Sequence, residues 1–403
     1  MNSKLNILFL SISNFSHLDG HSISTDLLHE LRRNGHNVHV VCGIDRGVGE
    51  ETSLKEEAGC KILRVKIGKN KKANLIEKGI TTLLLPHTYK KAIRKYFPNI
   101  KFDWILYPTP PITHLGTANY IKRRDNAKTF LLLKDIFPQN AVDLNMFSKK
   151  SFLYKYFRRV EKNLYKNSDY IGCMSQANVD YVLKHNPEVS PDKVVVCPNS
   201  VEPIDNSLPM DERLAVRRQY NIPEDKKIFI YGGNLGRPQG IPFLIECLKS
   251  QADNKEVFFV IAGGGTEYKN IEEYIETSKQ KNVMLMPRLP KVEYDRLVAS
   301  CDVGLIFLDK RFTIPNFPSR LLAHMQAKMP VMAVTDSNTD IGKVITENGF
   351  GWWVEAGELV AFDVTFSQAC EGDFARMGER AWNYLLENYT VEKAYQTIKE
   401  CLQ

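Results

Sequence analysis

Short, almost entirely apolar runs recur along the first half of the chain, and amphipathic stretches lie between several of them. The predicted strands are NILFLSI, NVHVVCG, KILRVKI, DWILYPT, TFLLLKD, YIGCMS and KVVVCPN. Apolar residues at helical spacing mark STDLLHELRRNG and HLGTANYIKRR. Short apolar strands that alternate with helices indicate a parallel sheet covered on both faces.

The second half repeats this pattern with KIFIYGG, FFVIAGGG, NVMLMPR, VGLIFLD, PVMAVTD and GWWVEAG. A polar, turn-prone segment, PNSVEPIDNSLPMDER, separates the halves. We therefore predict an α/β protein with two doubly wound domains, over residues 1–203 and 204–385. A last helix over 386–403 is expected to pack back toward the N-terminal domain. The length of 403 residues fits two hydrophobic cores.

Composition narrows the class of protein. With 43% hydrophobic and 25% charged residues, the chain reads as a soluble globular protein. No apolar stretch approaches the ~20 residues that cross a bilayer. The eight cysteines are dispersed and form no CxxC pair, which favours free thiols in a reducing cytoplasm over disulfides or zinc. The net charge of +7 suits an anionic partner without identifying it.

Two glycine-rich loops follow predicted strands of the second half. YGGNLGRPQG ends one strand and begins a helix, and AGGGTEY ends the next strand. Glycines let a backbone approach a ligand, a helix N-terminus offers free N–H groups, and Arg237 adds a cation suited to phosphate. The alternative is two tight turns that need glycine for geometry alone. Neither loop has the spacing of a dinucleotide-binding or P-loop motif.

A third loop, RFTIPNFPSRLLAHMQAKMPVMAV, leads from a proline-rich turn into a helix. Ser319 and Arg320 fall at the predicted helix start, where a hydroxyl, N–H groups and a guanidinium can meet an anion. The alternative is an N-cap serine beside a surface arginine. Because these loops follow strands, we expect them at the carboxyl edge of a parallel sheet, where ligands bind.

Together these segments resemble the family 4 glycosyltransferases, retaining nucleotide-sugar enzymes of the GT-B fold, over nearly the whole chain. DGHSISTDLLHELRRNGHNVHVV resembles the family's opening glycine turn and helix, and YGGNLGRPQGIPFLI resembles its first donor-domain loop. VIAGGGTEY, VMLMPRLPKVEYDRLVASCDVGLIF and FPSRLLAHMQAKMPV resemble the next three donor-domain segments. LLLKDIFPQNAVDL and GNLGRPQG are most similar to the branch that adds amino sugars in O-antigen or capsule synthesis.

The resemblance implies two Rossmann-like domains with an interdomain cleft, in which the second domain binds the donor and the first binds the acceptor. Residues assigned to the donor or its phosphates are Gly233, Asn234, Arg237, Gln239, Gly263, Gly264, Gly265, Arg288, Ser319, Arg320 and Leu321. Residues assigned to the acceptor are Gly20, His21 and His114. No cofactor is expected, because the UDP-sugar is a co-substrate. No metal ion is expected either.

The chain departs from the family pattern at several positions. Two glutamates that many members carry correspond here to Pro315 and Ala323. The usual Arg and Lys of the first donor loop correspond to Asn234 and Gln239, and a frequent first-domain His corresponds to Lys134. Sugar contacts and catalytic details of other members therefore do not carry over directly to this chain.

The expected chemistry is electrostatic. Breaking the anomeric C–O bond leaves charge on the β-phosphate, so catalysis depends on stabilising that leaving group. We expect Arg237 to supply the cation, aided by Arg320. Asp135 is expected to orient an acceptor hydroxyl or accept its proton, and Lys134 to bind phosphate or sugar; a strand-end ion pair is the alternative. No DxD sequence occurs, which agrees with a metal-independent reaction.

Ordinary structural roles compete with three of these assignments. His21 can cap the following helix, and His114 can be a plain loop-to-helix residue. Arg288, a lone arginine after a strand, can be a solvated surface residue.

Two segments combine basic and aromatic residues, HTYKKAIRKYFPNIK and SKKSFLYKYFRRVEKNLYK. Amphipathic basic helices can lie on anionic lipid, and these segments fall in the half expected to bind the acceptor. The alternative is a solvated helix with an aromatic core face. If the membrane interpretation holds, charge reversal at Arg158 and Arg159 reduces vesicle binding. No RNP, KH or helix-turn-helix pattern supports a nucleic-acid partner.

The sequence thus predicts a cytoplasmic glycosyltransferase at the inner face of the cell membrane. It would transfer an N-acetylhexosamine or deoxy derivative from a UDP-sugar to a polyprenyl-diphosphate-linked saccharide in O-antigen or capsule assembly. The alternatives are a nucleotide-sugar 2-epimerase of the same fold and a catalytically lapsed nucleotide-sugar-binding protein.

Overall fold

A computed structural model describes residues 4–15, 18–68 and 75–403. This chain divides into two compact units. The first runs to Glu202 and is completed by Val391–Gln403, and the second is Pro203–Thr390. Each unit is built on one mainly parallel sheet with helices against it.

The sheet of the first unit contains eight strands in the described chain. In sequence order they are β1 (Asn6–Leu10), β2 (Asn37–Asp45), β3 (Ser53–Glu57), β4 (Cys60–Ile67), β5 (Trp104–Pro108), β6 (Lys128–Leu133), β7 (Tyr170–Cys173) and β8 (Val194–Val196). Their spatial order is β3-β4-β2-β1-β5-β6-β7-β8, and every pair is parallel except β3–β4. The order reverses between β1 and β5, which makes the carboxyl ends of these strands the expected ligand edge.

Helices connect these strands. They are α1 (Ile23–Arg33), α2 (Leu75–Tyr96), α3 (His114–Asp125), α4 (Gln139–Asp143), α5 (Phe152–Asn167) and α6 (Gln176–His185). The hydroxyl of Ser22 accepts a hydrogen bond from the Thr25 amide and thereby caps the start of α1. Arg32 and Arg33 in the last turn complement the helix dipole. Local sequence signals therefore define α1 at both ends.

The second unit repeats the architecture. Its strands are β9 (Lys227–Asn234), β10 (Val257–Gly264), β11 (Val283–Met286), β12 (Val303–Phe307), β13 (Val331–Thr335) and β14 (Gly351–Glu355). Its helices are α7 (Met210–Gln219), α8 (Ile241–Ser250), α9 (Tyr268–Ser278), α10 (Lys291–Ser300), α11 (Arg320–Gln326), α12 (Ile341–Glu347), α13 (Leu359–Cys370) and α14 (Phe374–Asn388). The parallel strands lie in the order β11-β10-β9-β12-β13-β14, which reverses between β9 and β12.

The last helix, α15 (Val391–Leu402), belongs to the first unit. Its apolar residues share a core with β1, β2 and α1. The hydroxyl of Tyr395 is hydrogen-bonded to Nε2 of His36 at 2.9 Å, and the ammonium of Lys128 donates to the carbonyl oxygen of Leu402 at 2.7 Å. The chain therefore returns to its first unit after completing the second.

The predicted fold class of two doubly wound α/β domains is confirmed, and each predicted strand is present. The sequence pattern does not predict β3, whose residues SLKEE are mostly charged. This strand pairs antiparallel with β4 at the edge of the sheet. An edge strand needs only one neighbour and faces solvent, so no apolar run marks it.

Candidate functional site

The loop after β9 is held by its own hydrogen bonds. The amide of Leu235 donates to the carbonyl oxygen of Gly264 at 3.0 Å. Oε1 of the buried Gln239 accepts from the amide of Gly236 at 3.1 Å and from Nδ2 of Asn234 at 2.8 Å. The amides of Leu235 and Gly236 are therefore used within the loops. Asn234 and Gln239, both assigned to the donor, bond to each other.

The glycines of the two loops differ in what a side chain at each position would contact. A Cβ on Gly263 would overlap the carbonyl oxygen of Gly233, and a Cβ on Gly265 would overlap that of Leu235. Gly233 itself has φ +115°, which favours glycine, and a Cβ on Gly264 would meet no atom within 4 Å. Close packing thus explains Gly263 and Gly265. Gly233 and Gly264 leave open space at the strand ends.

Arg320, the first residue of α11, lies beside this open space. Its guanidinium carbon is 4.7 Å from the centroid of the Tyr231 ring. Its Nη2 is 3.9 Å from the position that a Cβ on Gly233 would take. Its Nη1 is buried and has no hydrogen-bond partner among the described residues. A guanidinium held on an aromatic face, with N–H groups still to be used, is well suited to bind an anion.

The side chains around Arg320 are uncharged. Burial raises the pKa of Tyr294 to about 12, although the Arg320 cation opposes that shift. Tyr231 is buried, and its hydroxyl donates to the carbonyl oxygen of Asn234 at 2.9 Å. His324 is fully buried one turn after Arg320, and burial together with the Arg320 cation lowers its pKa to about 3. The charge of this cluster at neutral pH therefore comes from Arg320.

The other residues of the second unit that were assigned to the donor are either more exposed than Arg320 or buried in the core. The side chain of Arg237 is 63% exposed, and its Nε is 4.0 Å from Oε1 of Glu267. Arg288 is exposed after β11, which β10 separates from β9. Ser319 precedes α11 but makes no side-chain capping bond in the described chain, and Leu321 is fully buried. The structure thus brings Arg320 to the two glycine loops, whereas Arg288 follows β11 beside the end of β10 and is exposed.

Lys134 and Asp135 follow β6 and are held by the side chain of Thr109. The Thr109 hydroxyl accepts hydrogen bonds from the amides of Lys134 at 3.1 Å and Asp135 at 3.3 Å. The same hydroxyl donates to the carbonyl oxygen of Asp135 at 3.1 Å. Nδ2 of Asn140 donates to both carboxylate oxygens of Asp135 at 2.8 Å. The carboxylate therefore has a fixed position at the carboxyl edge of the sheet.

Both side chains have shifted pKa values. Burial raises the pKa of Asp135 to about 6, against the opposing hydrogen bonds from Asn140 and the Ile136 amide. Burial lowers the pKa of Lys134 to about 8. Neither shift is caused by the charge of the other residue, so a strand-end ion pair does not account for them. A carboxylate that titrates near neutral pH can orient a hydroxyl or accept its proton.

The three residues assigned to the acceptor lie in different environments. Gly20 is exposed, and a Cβ there would meet no atom within 4 Å. The side chain of His21 is 53% exposed, with its Nδ1 2.9 Å from Oδ1 of the buried Asp26. His114 is fully buried and stacked on Tyr89 with ring centroids 5.9 Å apart, and burial lowers its pKa to about 3. Gly20 and His21 are thus accessible, whereas His114 is a neutral interior residue.

Several residues near these sites are not identified from the sequence. Thr109 directly follows β5 and Asp336 directly follows β13, so the rule that ligands bind at strand ends could have found them. Burial raises the pKa of Asp336 to about 6, and its buried Oδ2 has no hydrogen-bond partner in the described chain. Tyr231 and Tyr294 read as core residues of a strand and a helix. Asn140 follows Asp135 by five positions, a spacing that carries no signal of its own.

The described part of the chain offers no obvious metal centre. Within it, no group of three or more His, Cys, Asp or Glu side chains could hold a metal ion. All eight cysteines are free thiols, as their dispersed positions predict, and most are buried. Over the same residues, none of the helices has the length and apolar character to span a bilayer.

Both halves of the chain match models of known protein families. Residues 23–204 match the family described as Glycosyltransferase Family 4, and residues 212–380 match Glycosyl transferases group 1. The probable glycosyltransferase WbjE of Pseudomonas aeruginosa is 26% identical over 75% of this chain and 74% of its own length. The putative colanic acid biosynthesis glycosyl transferase WcaI of Escherichia coli is 22% identical over 85% of this chain and 86% of its own.

A solved structure shares the architecture of the whole chain. HepE of Anabaena, in complex with UDP and glucose, has a TM-score of 0.69 at 16% identity and covers 99% of both chains. Likeness at this level of identity concerns the fold alone. The prediction of two Rossmann-like domains of the GT-B type is thereby confirmed.

Proposed function

We propose that this chain, which belongs to glycosyltransferase family 4, transfers a sugar from a UDP-sugar to a lipid-linked saccharide in the assembly of a surface polysaccharide. Both family domains support the transferase class. The name of WbjE also supports that class, the name of WcaI supports a role in polysaccharide assembly, and the UDP in HepE supports a uridine nucleotide. The similarity of LLLKDIFPQNAVDL to the amino-sugar branch is the basis for an N-acetylhexosamine or deoxy derivative as the transferred sugar.

The observation that carries the donor assignment is the position of Arg320. Its guanidinium lies on the Tyr231 ring, has a buried Nη1 without a protein partner in the described chain, and faces the open side of Gly233. A diphosphate bound there accepts charge-assisted hydrogen bonds from Arg320. Arg237, which is exposed on the loop after β9, is the second cation proposed for the diphosphate. The nucleotide is therefore held by side-chain cations more than by loop amides.

The proposed reaction is a displacement at the anomeric carbon of the donor sugar. The bond between the anomeric carbon and the β-phosphate oxygen breaks, and the anomeric carbon forms a new bond to the acceptor hydroxyl oxygen. Arg320 and Arg237 stabilise the charge that develops on the leaving UDP, without need of a metal ion. The hydroxyl proton passes to a donor phosphate oxygen or to Asp135, which orients the hydroxyl. Attack on the face that UDP leaves gives retention at the anomeric carbon.

The acceptor in this proposal is a saccharide on polyprenyl diphosphate. Gly20 and His21 are accessible beside the start of α1 and are the residues proposed to contact it, together with the Lys134 ammonium. A lipid-linked acceptor implies that the enzyme works at a membrane surface. We propose the cytoplasmic face of the cell membrane, because nucleotide sugars and free thiols both belong to the cytoplasm.

The proposal is tested by incubating the protein with candidate UDP-sugars, with and without a short-chain lipid-linked acceptor. Acceptor-dependent release of UDP together with a glycosylated lipid supports it. Epimer formation without acceptor would identify the 2-epimerase instead, and tight UDP binding without turnover would identify a lapsed binding protein. The family and its relatives favour neither alternative.

A further inference from the structure

The first unit exposes large apolar side chains on two of its helices. On α2 these are Ile80, Leu83 and Leu84, with 53%, 46% and 57% of their surface exposed. At the start of α5, Phe152 is 84% exposed, and Leu153 and Tyr156 are also open to solvent, as is Met146 in the turn before the helix. The sequence-based alternative of an aromatic core face on α5 is therefore wrong for Phe152 and Tyr156. Clustered apolar exposure of this kind marks an interaction surface.

These apolar groups lie at one edge of the unit. α2 and α5 each lead from the carboxyl end of one strand to the amino end of the next parallel strand, so their first turns lie at the carboxyl edge of the sheet. α3 packs against both helices and completes a single helical layer. Phe152 and Leu153 are in the first turn of α5, and Ile80, Leu83 and Leu84 are in the half of α2 nearer this edge. The exposed apolar residues therefore lie toward the edge that carries Lys134 and Asp135, where the acceptor is expected.

The same layer is strongly cationic. Each of its three helices has one acidic residue, namely Glu77, Asp125 or Glu161. Asp125 and Glu161 are buried in ion pairs with Arg124 and Arg158. The lysines and arginines of these helices whose side chains the structure describes are Lys90, Lys91, Arg94, Lys95, Lys122, Arg123, Arg124, Lys155, Arg158, Arg159, Lys162 and Lys166. Lys90, Arg123 and Arg124 line a groove of about 560 Å³ between α2 and α3.

We propose that this layer of α2, α3 and α5 docks onto an anionic lipid bilayer. The aliphatic and aromatic side chains enter the headgroup boundary at the carboxyl edge, and the lysines and arginines behind them bind lipid phosphates. A second copy of the chain is disfavoured, because it would bring one cationic layer against another. This inference rests on the proposed lipid-linked acceptor, and it adds the surface that presents the acceptor edge to the membrane.

The contacts of the basic side chains show which of them are available to bind lipid. Nη1 of Arg158 donates to Oε2 of Glu161 at 2.6 Å, and Nη2 donates to Oδ1 of Asn186 at 2.8 Å. Arg158 therefore holds α5 to the rest of the unit, and its reversal would test folding more than lipid binding. Lys91, Lys95 and Arg159 are exposed and are better probes.

The test is sedimentation with phosphatidylcholine vesicles that contain or lack phosphatidylglycerol. The double variant Leu84→Gln/Phe152→Gln is expected to bind the anionic vesicles at least tenfold more weakly. Lys91→Glu/Lys95→Glu is expected to lose about tenfold or more, and this loss should shrink at high salt. Val292→Gln/Val360→Gln changes equally exposed apolar residues of the second unit and should leave binding unchanged. Thermal unfolding verifies that each variant folds.

The outcomes separate this surface from the proposed reaction. Vesicle binding that is unchanged in both α2/α5 variants, or equally strong without phosphatidylglycerol, overturns the surface. Light scattering tests whether the layer instead binds a second copy of the chain. If the wild type is a dimer and the α2/α5 variants are monomers that still bind vesicles, the proposal is overturned. Transfer to a short-chain acceptor in detergent is expected to survive in the variants. If the wild type binds vesicles through these residues but transfers no sugar, the proposed reaction is contradicted, whereas the proposed membrane-binding surface is supported.

Discussion

The carboxyl edges of the two sheets carry different kinds of chemistry. In the second unit, the loops after β9 and β10 bond to each other through their backbones, and the adjacent charge belongs to Arg320, which is ionised at any physiological pH. In the first unit, side chains of Thr109 and Asn140 hold Asp135, whose pKa is raised to about 6. One edge offers a permanent cation, and the other a group that titrates near neutral pH.

This difference matches the two halves of a glycosyl transfer. A diphosphate leaving group needs a positive charge that does not depend on proton exchange, and a fixed guanidinium supplies one. An acceptor hydroxyl needs a nearby group that can gain or lose a proton, and a half-buried carboxylate supplies that. The comparison therefore predicts that variants of the two edges fail in different ways.

The largest expected effect is on turnover, in Asp135→Asn. The amide keeps the size of the side chain but cannot accept a proton, so we expect kcat to fall about a hundredfold or more. UDP affinity, measured by calorimetry, should stay within twofold because Asp135 belongs to the other unit. A variant with normal kcat, or one that loses UDP affinity instead, would contradict the division between the edges.

The two glycine loops offer a matched pair for stability. In Gly263→Ala the new Cβ overlaps the carbonyl oxygen of Gly233, and we expect a loss of about 2–3 kcal/mol in the free energy of unfolding. Gly264→Ala has open space and should change that free energy by less than about 0.5 kcal/mol. Urea unfolding of both variants measures the difference. Equal losses would mean that the loops do not pack as described.

The pH dependence of kcat/KM should follow the first unit. Because Asp135 acts as the carboxylate and has a pKa of about 6, we expect activity to fall about tenfold per pH unit below pH 6. A second decline above pH about 8 would report loss of the Lys134 charge. Asp336 also has a pKa of about 6, so Asp336→Asn is the control and should keep the acid limb. If the fall in activity at low pH persists in Asp135→Asn, a group other than Asp135 is responsible for it.

The smallest predicted effect concerns the support of Asp135. Thr109→Val removes a hydroxyl that bonds the amides of Lys134 and Asp135, and we expect kcat to fall about fivefold with KM for the UDP-sugar unchanged. Thr109→Ser keeps the hydroxyl and should restore most of the rate. If Thr109→Val keeps the wild-type rate, or if Thr109→Ser is as slow as Thr109→Val, the hydroxyl hydrogen bonds alone do not account for the rate.

The sequence predicts the fold better than the site because apolar runs and glycine loops are local signals. Each predicted strand exists, and the charged edge strand β3 escapes prediction because it is defined by its pairing with β4. Arg320 is found from the sequence through its position at a helix start. Its contact with Tyr231 joins residues far apart in the chain, and no local pattern encodes it.

Side-chain environment also separates residues that look alike in the sequence. Arg237 and Arg320 both follow glycine or proline turns, but the first is mostly exposed, whereas the second has a buried Nη1. His21 and His114 both lie at the starts of helices, but one is accessible and the other is buried against Tyr89. Arg158 reads as part of a basic face and is in fact bonded to Glu161. The burial of an individual side chain depends on tertiary packing, whereas a hydropathy pattern indicates only which face of a helix or strand is buried.

The most direct test of the account is calorimetric binding of UDP to wild-type protein and to Arg320→Ala and Arg237→Ala. The account predicts that Arg320→Ala weakens UDP binding about a hundredfold, because it removes a guanidinium held in place by Tyr231. The exposed Arg237 should contribute tenfold or less, and Lys269→Ala, an exposed cation of α9, should contribute nothing. UDP affinity that is unchanged in Arg320→Ala would contradict the assignment of the donor site to this cluster.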